Sequence, residues 1–318
     1  MKNKICVLGS YVCQMSACLP RVPQPGETIV ANDFDMGQGG KGNNVAIAIK
    51  RLGADVVLIE RVGDDIFGEM AFEVYRDEGI DTSYVKKTPT VQSGVGLVYV
   101  QPNGENTAAY FPGANENLCA EDVYAAEEDI KDAEIMYLQL EIPDEAILAG
   151  VELAKKYGMK IILNPAPARK IPSGLIEKVD LLTPNLGEAF TLTNRGFREG
   201  LTMEEVEELA KALLQIGPSE VVITLGGKGA YYINQLGKSH YKAAFPVQVV
   251  DTVGAGDSFN AGLCVAIAEG LSIEDSMTNA CICGALTTTK LGVIEALPSI
   301  NQVSEYIKDL HKEDGGLA

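Results

Sequence analysis

Short apolar runs alternate with amphipathic segments along most of the chain. Six runs have the length and composition of buried strands, at residues 4–10, 56–59, 135–138, 160–163, 180–183 and 221–224. Three segments between them repeat apolar side chains with the period of a helix, at residues 44–52, 144–157 and 203–216. Strands that alternate with helices predict βαβ units. We therefore expect an α/β fold with a mostly parallel sheet that is covered by helices on both faces.

Two stretches break this alternation and predict a second, smaller sheet. Residues 27–36 have no helical face and are framed by prolines and by Gly37. Residues 95–100 and 107–111 flank the pair Asn103-Gly104, and Asn-Gly is a strong signal for a β-hairpin. We expect antiparallel strands from residues 12–37 and 90–112 to form a flap over the carboxyl edge of the main sheet. Residues 1–318 would then form one domain with a lid.

The chain is strongly acidic, with 26 Lys and Arg against 44 Asp and Glu and a net charge of −18. This charge argues against a nucleic acid or an anionic membrane as partner, because both are bound through clusters of cations. Seven cysteines without a CxxC pair, and only a short apolar run at the amino end, predict free thiols, no secretion signal and a cytoplasmic protein. The histidines, His240 and His311, are too few for a His-based metal cluster or a Ser-His-Asp triad.

The first of three glycine-rich segments, residues 36–44, contains GxGxxG at Gly37, Gly39 and Gly42. An NAD-dependent dehydrogenase is one interpretation, but its fingerprint should follow the first core strand directly, whereas about twenty-five residues intervene here. The segment also lacks the Ser or Thr that follows Gly-Lys in a Walker A loop. It either exposes backbone to a small polar ligand or only turns the chain into a helix.

The second segment, residues 250–259, follows an apolar strand-like run at residues 245–250 and begins a helix. Gly254, Ala255 and Gly256 have almost no side chain, so backbone N–H groups at the helix start can converge on an anion. A carboxylate beside such a site, here Asp257, would repel a phosphate unless it accepts a proton from an attacking hydroxyl. The alternative is that Asp257 is only a helix-start residue.

The third segment, residues 223–230, is a strand that runs into a glycine turn. Lys228 in this turn either interacts with the charge of a phosphate or is solvated.

Asn185 and Glu188 follow another predicted strand and share one side of a helix start. Their oxygens suit a Mg²⁺ that keeps most of its waters, although such a pair also serves as a helix cap.

Together these segments resemble the ribokinase-like, or PfkB, family of carbohydrate kinases. The resemblance covers essentially the whole chain. Its motifs occur in the family's order, at residues 39–44 (GGKGNN), 164–168 (NPAPA), 185–188 (NxxE) and 251–257 (DTVGAGD). It implies a Rossmann-like three-layer core with a small β lid, and an enzyme that transfers a phosphoryl group from ATP to a hydroxymethyl group of a small sugar or sugar-like substrate.

The resemblance also implies roles for single residues. Asp257 would be the catalytic base, and Gly254, Ala255 and Gly256 would form the anion hole. Sugar contacts are implied for Gln14, Gly40, Lys41, Asn44, Glu141 and Asp257. Contacts with ATP are implied for Asn185, Thr224, Gly226, Gly229 and Gly256. Asn185 and Glu188 would organise Mg²⁺, the latter through water, and Asp251 and Val253 would bind K⁺ with help from residues 288–297. A homodimer formed through the lid is implied as well.

One departure from the family pattern concerns the sugar. Ribokinases carry Asn-x-Asp shortly after the first strand, where this chain has Val12 and Gln14. A neutral amide binds a diol more weakly than a carboxylate does, so a sugar other than ribose is expected. Tyr99, Tyr110 and Phe111 on the lid strands either stack on the substrate or pack between subunits. A nucleoside kinase, or a catalytically weak member that binds ligand as a regulator, is the alternative.

Overall fold

The structure is a computed structural model that describes residues 3–102 and 106–314. Its strands are β1 Lys4–Leu8, β2 Val12–Cys18, β3 Asp33–Gly39, β4 Asp55–Gly63, β5 Val85–Thr88, β6 Gly94–Val100, β7 Asn106–Phe111, β8 Ile135–Leu138, β9 Lys160–Leu163, β10 Leu181–Leu182, β11 Glu220–Thr224, β12 Ala230–Asn234 and β13 Ser239–Lys242. Its helices are α1 Lys41–Arg51, α2 Ile66–Asp77, α3 Ala120–Ala125, α4 Glu127–Ile130, α5 Asp144–Tyr157, α6 Leu186–Leu192, α7 Met203–Gln215, α8 Ala255–Ala268, α9 Ile273–Thr287 and α10 Ile300–Asp314.

The main sheet has nine strands in the order β13-β12-β11-β10-β9-β8-β1-β4-β5. The pairings from β5 to β11 are parallel, and β12 and β13 add an antiparallel edge. All six predicted core strands are present in this sheet. The prediction of a mostly parallel α/β fold is therefore confirmed.

Helices cover both faces of the main sheet and bury two apolar cores. Alternate residues of β1 enter different cores, since Ile5 and Val7 pack with α1 and α8 while Cys6 and Leu8 pack with α5. A strand that is buried on both faces must be apolar throughout, which is why β1 appears in the sequence as a continuous apolar run. In the part of the chain that the structure describes, no helix is long and apolar enough to cross a membrane.

A second sheet, called the small sheet below, contains β3, β2, β6 and β7 in that order. Its two outer pairings are antiparallel as predicted, but β2 and β6 pair in parallel because the chain passes through the main sheet between them. The predicted Asn103-Gly104 turn lies outside the described residues. The strand expected at residues 27–36 is instead Asp33–Gly39, since β2 offers pairing partners from Val12 to Cys18 alone.

The strand-like run predicted at residues 245–250 is wrong. These residues have no regular secondary structure, and Val249 and Val250 are exposed. β13 ends at Lys242, and the N–H groups of Val250 and Asp251 donate to the carbonyl oxygen of Thr288 rather than to a strand. Apolar composition alone cannot distinguish a buried strand from a segment that lines a cleft.

Candidate active site

Helix α1 begins against the turn that follows β1, and two glycines allow this close approach. Gly40 has a φ of 100°, and a Cβ there would lie 2.2 Å from the carbonyl oxygen of Ser10. A Cβ on Gly42 would lie 2.3 Å from the Cα of Gly9. Residues with side chains would push the helix away from the carboxyl end of β1.

The dinucleotide interpretation of the same segment is wrong. Gly37 and Gly39 lie within β3 of the small sheet, and Gly42 lies within α1. A dinucleotide fingerprint requires these glycines between a strand of the main sheet and its following helix. The GxGxxG spacing here results from a small-sheet strand that leads into a tightly packed helix.

Glu141 is held by groups from two elements at the carboxyl end of the main sheet. The hydroxyl of Ser10 donates to Glu141 Oε2 over 2.7 Å, and the backbone N–H of Lys41 donates to the same oxygen over 3.0 Å. The backbone N–H of Gly42 donates to Ser10 Oγ over 3.2 Å. The turn after β1, the start of α1 and the segment after β8 are thereby fixed to one another. Glu141 Oε1 and the Lys41 ammonium group are then available to bind a polyol.

Asp257 lies in the first turn of α8 and is buried, with 8% of its surface exposed. Asn44 Nδ2 of α1 donates to Asp257 Oδ2 over 2.7 Å. Burial raises the pKa of the Asp257 carboxyl, against the opposing effects of Lys41 and Asn44. A carboxylate whose pKa is raised toward the working pH is a better proton acceptor than an exposed one. The arrangement suits a general base that is oriented by Asn44.

Lys41 is the cation shared by the carboxylates of this region. Burial alone would lower the pKa of Lys41, but the charges of Asp257, Glu141 and Glu188 raise it above its usual value. Lys41 therefore stays protonated and partly neutralises carboxylates that would otherwise repel a phosphate.

The predicted anion hole lies at the amino end of α8. Gly254 caps the helix with a φ of 78°, and a Cβ there would lie 2.8 Å from Val293 Cγ1. The first N–H groups of a helix have no intrahelical acceptor, and the helix dipole makes this end attractive to anions. A Cβ on Gly256 would meet nothing within 4 Å. Gly256 therefore presents its backbone to open space beside Asp257.

A chain of buried side chains supports this helix end. Asn260 Nδ2 donates to the carbonyl oxygen of Gly256 over 2.9 Å, and Thr183 Oγ1 donates to Asn260 Oδ1 over 2.6 Å. Asn164 Nδ2 donates to the carbonyl oxygen of Thr183 over 2.7 Å. Asn164 is the first residue of the NPAPA motif. Through this hydrogen bond the motif supports the backbone beneath the site.

A cleft of about 710 Å³ opens beside the start of α8. All the residues that the resemblance assigned to ATP line it, namely Asn185, Thr224, Gly226, Gly229 and Gly256. Phe245, Val247 and Val249, from the segment predicted as a strand, form part of its apolar wall. Lys228 is exposed and does not line the cleft, which favours the solvated interpretation of this residue.

Asn185 and Glu188 form a reciprocal helix cap at the start of α6. The N–H of Glu188 donates to Asn185 Oδ1, and the N–H of Asn185 donates to Glu188 Oε2, each over 2.8 Å. Burial raises the pKa of Glu188, and the charge of Asp257 acts in the same direction while Lys41 opposes it. The capping interpretation is therefore correct, and Glu188 is also within electrostatic reach of Lys41 and Asp257.

The two segments assigned to K⁺ are in contact. Asp251 accepts hydrogen bonds from the N–H of Val253 over 3.1 Å and from the N–H of Gly292 over 3.3 Å. The N–H of Val250 donates to the carbonyl oxygen of Thr288 over 2.7 Å. Within the described residues, no three His, Cys, Asp or Glu side chains are grouped closely enough to hold a metal by themselves.

The small sheet directs one aromatic residue toward this site and two away from it. Gln14 is in register with Gly96 of β6, and Gly96 is in register with Tyr110 of β7, so Gln14 and Tyr110 share one face. Burial, followed by the charge of Glu141, raises the pKa of the Tyr110 hydroxyl, which places Tyr110 near the Glu141 carboxylate. Tyr99 and Phe111 lie on the opposite face and are exposed.

A family model for pfkB family carbohydrate kinases matches residues 2–300. The chain belongs to this family. It is 34% identical over 304 residues to a deoxyribokinase of Salmonella typhi, a match that spans 95% of this chain and 98% of the relative. It is 36% identical over 306 residues to a ribokinase of Schizosaccharomyces pombe, a match that spans 94% and 96%. The structure of Arabidopsis thaliana ribokinase complexed with ribose and ATP superposes with a TM-score of 0.88 at 30% identity, covering 96% of this chain and 98% of that one.

Membership of the pfkB family confirms the predicted fold and the predicted class, an ATP-dependent sugar kinase. Sequence reasoning missed Ser10, Thr183 and Asn260, which orient the site without belonging to a quoted motif. Ser10 and Thr183 could have been found from their position, because each follows a core strand at its carboxyl end. Asn260 had no comparable signal, since it lies inside an apolar helix.

Proposed function

We propose that the enzyme transfers the γ-phosphoryl group of ATP to a hydroxymethyl group of a small sugar, with Asp257 as the base that deprotonates this hydroxyl. The observation that carries the proposal is the position of Asp257, buried at the start of α8 and held by Asn44. Lys41 and Glu141 are close enough to act electrostatically on Asp257, and the neighbouring residue Gly256 lines the cleft. Phosphoryl transfer requires alignment, charge neutralisation and one proton acceptor. ATP as donor and seven free cysteines fit a cytoplasmic enzyme.

Mg²⁺ would be held near Asn185 and Glu188, mainly through water and phosphate oxygens. This assignment fits the donor set, because Glu188 is a carboxylate whose charge is only partly balanced by Lys41. Mg²⁺ prefers oxygen ligands and usually keeps several waters in phosphate sites. The metal would neutralise charge on the phosphates, while Glu188 would fix its waters relative to Asp257.

K⁺ would be held between residues 251–253 and the segment that begins at Thr288. Backbone carbonyl oxygens are suitable ligands for K⁺, and both segments are already joined through Asp251 and Thr288. Gly254 follows directly and packs on Val293. A cation there would stiffen the anion hole without touching the sugar.

The small sheet would act as the lid of the sugar site, with Gln14 and Tyr110 facing the substrate. Gln14 is flanked in register by Gly37 and Gly96, which leave space around its amide. Val12, on the same face, is 7% exposed and offers no hydrogen bond. A hydroxyl placed against Val12 would be desolvated without a partner. We therefore propose a preference for a sugar with fewer hydroxyls on this side than ribose.

Gln14→Asp is expected to lower the KM for ribose about tenfold, because a carboxylate binds a diol with charge-assisted hydrogen bonds. The KM for ATP should not change. Steady-state kinetics with ribose and 2-deoxyribose measure both values. Gln24→Asp, the same substitution in an exposed loop, is the matched control. An unchanged preference between the two sugars in Gln14→Asp would contradict the assignment of Gln14 to the sugar site.

Release of ADP over a panel of pentoses, deoxypentoses, hexoses and nucleosides tests the proposed function. The assay is run with MgATP, with and without K⁺. We expect sugar-dependent ADP release that requires Mg²⁺ and increases with K⁺. Silence over the whole panel, with ATP binding intact, would instead favour a ligand-binding regulator. The best substrate within the panel distinguishes a sugar kinase from a nucleoside kinase.

A homodimer through the outer face of the small sheet is the second part of the proposal. This face carries a group of exposed apolar side chains, Phe34, Met36, Leu97, Tyr99 and Phe111. Apolar groups of this kind on a sheet face are typical of protein interfaces. A second copy of the chain presents the same face, so a two-fold axis would bury both at once.

Leu97→Glu is expected to convert the dimer into a monomer, since it would place a carboxylate in the centre of the apolar face. Size-exclusion chromatography with light scattering measures the mass. Leu236→Glu is the matched control, because Leu236 is 94% exposed in the turn between β12 and β13. A wild-type protein that is monomeric at high concentration would contradict the proposed interface.

A further inference from the structure

Glu60 is a fully buried carboxyl group that belongs to none of the motifs described above. It lies on β4 and faces the apolar core beneath α1 and α2. The hydroxyl of Tyr75, from α2, donates to Glu60 Oε1 over 2.6 Å. Glu60 Oε2 has no hydrogen-bond partner in the part of the chain that the structure describes, and the buried hydroxyl of Tyr11 has none there either. An ionised carboxylate in this position would leave charge on an oxygen without a donor, which is costly.

The unpartnered oxygen lies directly against the turn that holds the Glu141 side of the active site. A Cβ on Gly9 would lie 2.6 Å from Glu60 Oε2, and the N–H of Gly9 donates to the carbonyl oxygen of Ile59 over 2.8 Å. The next residue, Ser10, holds both Glu141 and the start of α1. The shape of the Gly9-Ser10 turn therefore depends on the group that packs beneath it.

The groups that face Glu60 are neutral or acidic. Tyr75 comes from α2 and Tyr11 from the segment after β1. Burial raises the pKa of Tyr11, and the charges of Cys13 and Asp65 raise it further. Burial raises the pKa of Glu60 to about 8, the hydrogen bond from Tyr75 opposes this rise, and the charge of Glu141 adds to it. The group is thus neutral at pH 7 in the folded protein and ionised in the unfolded chain.

We propose that Glu60 is a positioning residue for sugar binding, which supports the Gly9-Ser10 turn as a neutral acid and displaces it when ionised. The proposal rests on the sugar-binding role proposed above for Glu141. Ionisation adds an unpaired negative charge beneath the turn and close to the Glu141 carboxylate. The structure must then admit water or move the turn to solvate this charge. Sugar affinity falls in alkaline solution as a consequence, while the ATP cleft, which none of Gly9, Ser10 and Glu60 lines, is not affected.

Calorimetric titration of the tightest-binding sugar from about pH 6 to about pH 10 tests this link. The Kd of the wild type should rise at least about tenfold, with a midpoint near the pKa of Glu60. In Glu60→Gln, which keeps the shape of the side chain without ionising, the Kd should stay low and flat. Tyr75→Phe should move the midpoint to higher pH, because it removes the hydrogen bond that stabilises the carboxylate. A flat wild-type profile, or the same rise in Glu60→Gln, would overturn the proposal.

Two readouts need no turnover and separate this inference from the proposed function. Infrared spectra at pH 7 should contain the carbonyl band of a buried protonated carboxyl group that is lost in Glu60→Gln. The stability of the wild type relative to Glu60→Gln should be highest below the unfolded pKa of Glu60 and should fall as the pH rises through its folded pKa. Absence of the band would contradict the neutral state of Glu60. Presence of the band with no binding of any sugar would leave the chemistry of Glu60 intact and refute the sugar site.

Discussion

Asp257→Asn is expected to lower kcat by about three orders of magnitude, with little change in the KM of sugar or ATP. An amide cannot accept the proton of the attacking hydroxyl, and general base catalysis typically contributes a factor of about 10²–10⁴. The substituted amide side chain would still fit beside Asn44 in the same buried space, so binding should survive. Steady-state kinetics with saturating MgATP give kcat and KM separately.

Asp275→Asn is the matched control for this substitution. Asp275 also lies in the first turn of a helix, α9, where Ser272 Oγ donates to it over 2.8 Å. We expect near-normal turnover in Asp275→Asn. Near-normal turnover in Asp257→Asn as well would mean that Asp257 is only a helix-start residue.

Gly256→Ala is expected to raise the stability of the fold slightly while it lowers kcat. A Cβ at this position meets no atom within 4 Å, and alanine is favoured over glycine inside a helix by about 0.8–1 kcal/mol. The free energy of unfolding should therefore rise slightly. The same Cβ would enter the space in which, by the proposed mechanism, the backbone N–H groups would face the transferred phosphoryl group. Alanine keeps the backbone N–H, but its methyl group would hold the phosphoryl group away from it, and loss of one such hydrogen bond costs a factor of about 10²–10³ in kcat.

Gly262→Ala, within the same helix, is expected to change the free energy of unfolding in the opposite direction. A Cβ on Gly262 would lie 2.7 Å from Cys283 Sγ of α9, so this variant should lose stability. Denaturant unfolding and kcat, measured for both variants, check the two signs. A Gly256→Ala enzyme with normal kcat would show that the start of α8 does not contact the phosphoryl group.

Much of the core could be predicted from the sequence because local patterns determine it. Helix α5 has the predicted bounds, since an acidic first turn and Gly158 in a left-handed conformation mark its two ends. The core strands were recognisable because burial on both faces requires unbroken apolar runs. The residues that the resemblance assigned to ATP come from separate segments of the chain, and the structure places all of them along one cleft.

The remaining features depend on contacts between distant parts of the chain. Tyr110 and Phe111 are adjacent in the sequence, yet their faces are decided by the register of β6 and β7. Ser10 acquires its role through Glu141, which is 131 residues away. The irregular backbone at residues 245–250 likewise depends on a distant residue, because the N–H of Val250 donates to the carbonyl oxygen of Thr288. No local pattern encodes these relations.

The net charge of −18 is compatible with ATP binding because the site does not rely on many cations. Lys41 balances the nearby carboxylates, and the proposed anion hole would consist of backbone N–H groups at the start of α8. A metal-bound nucleotide also carries less charge than free ATP. The acidity of the chain therefore argues against polyanionic partners without opposing the nucleotide.

The most direct test of the account is to identify the product that the wild type forms from MgATP and the best sugar in the panel. Phosphorus NMR, with coupling to protons, reports which carbon carries the phosphate. We predict that ADP and sugar phosphate form in equal amounts, with the phosphate on the hydroxymethyl carbon. ADP formed without sugar phosphate, or a phosphate on a ring hydroxyl, would contradict the placement of the hydroxymethyl group at Asp257.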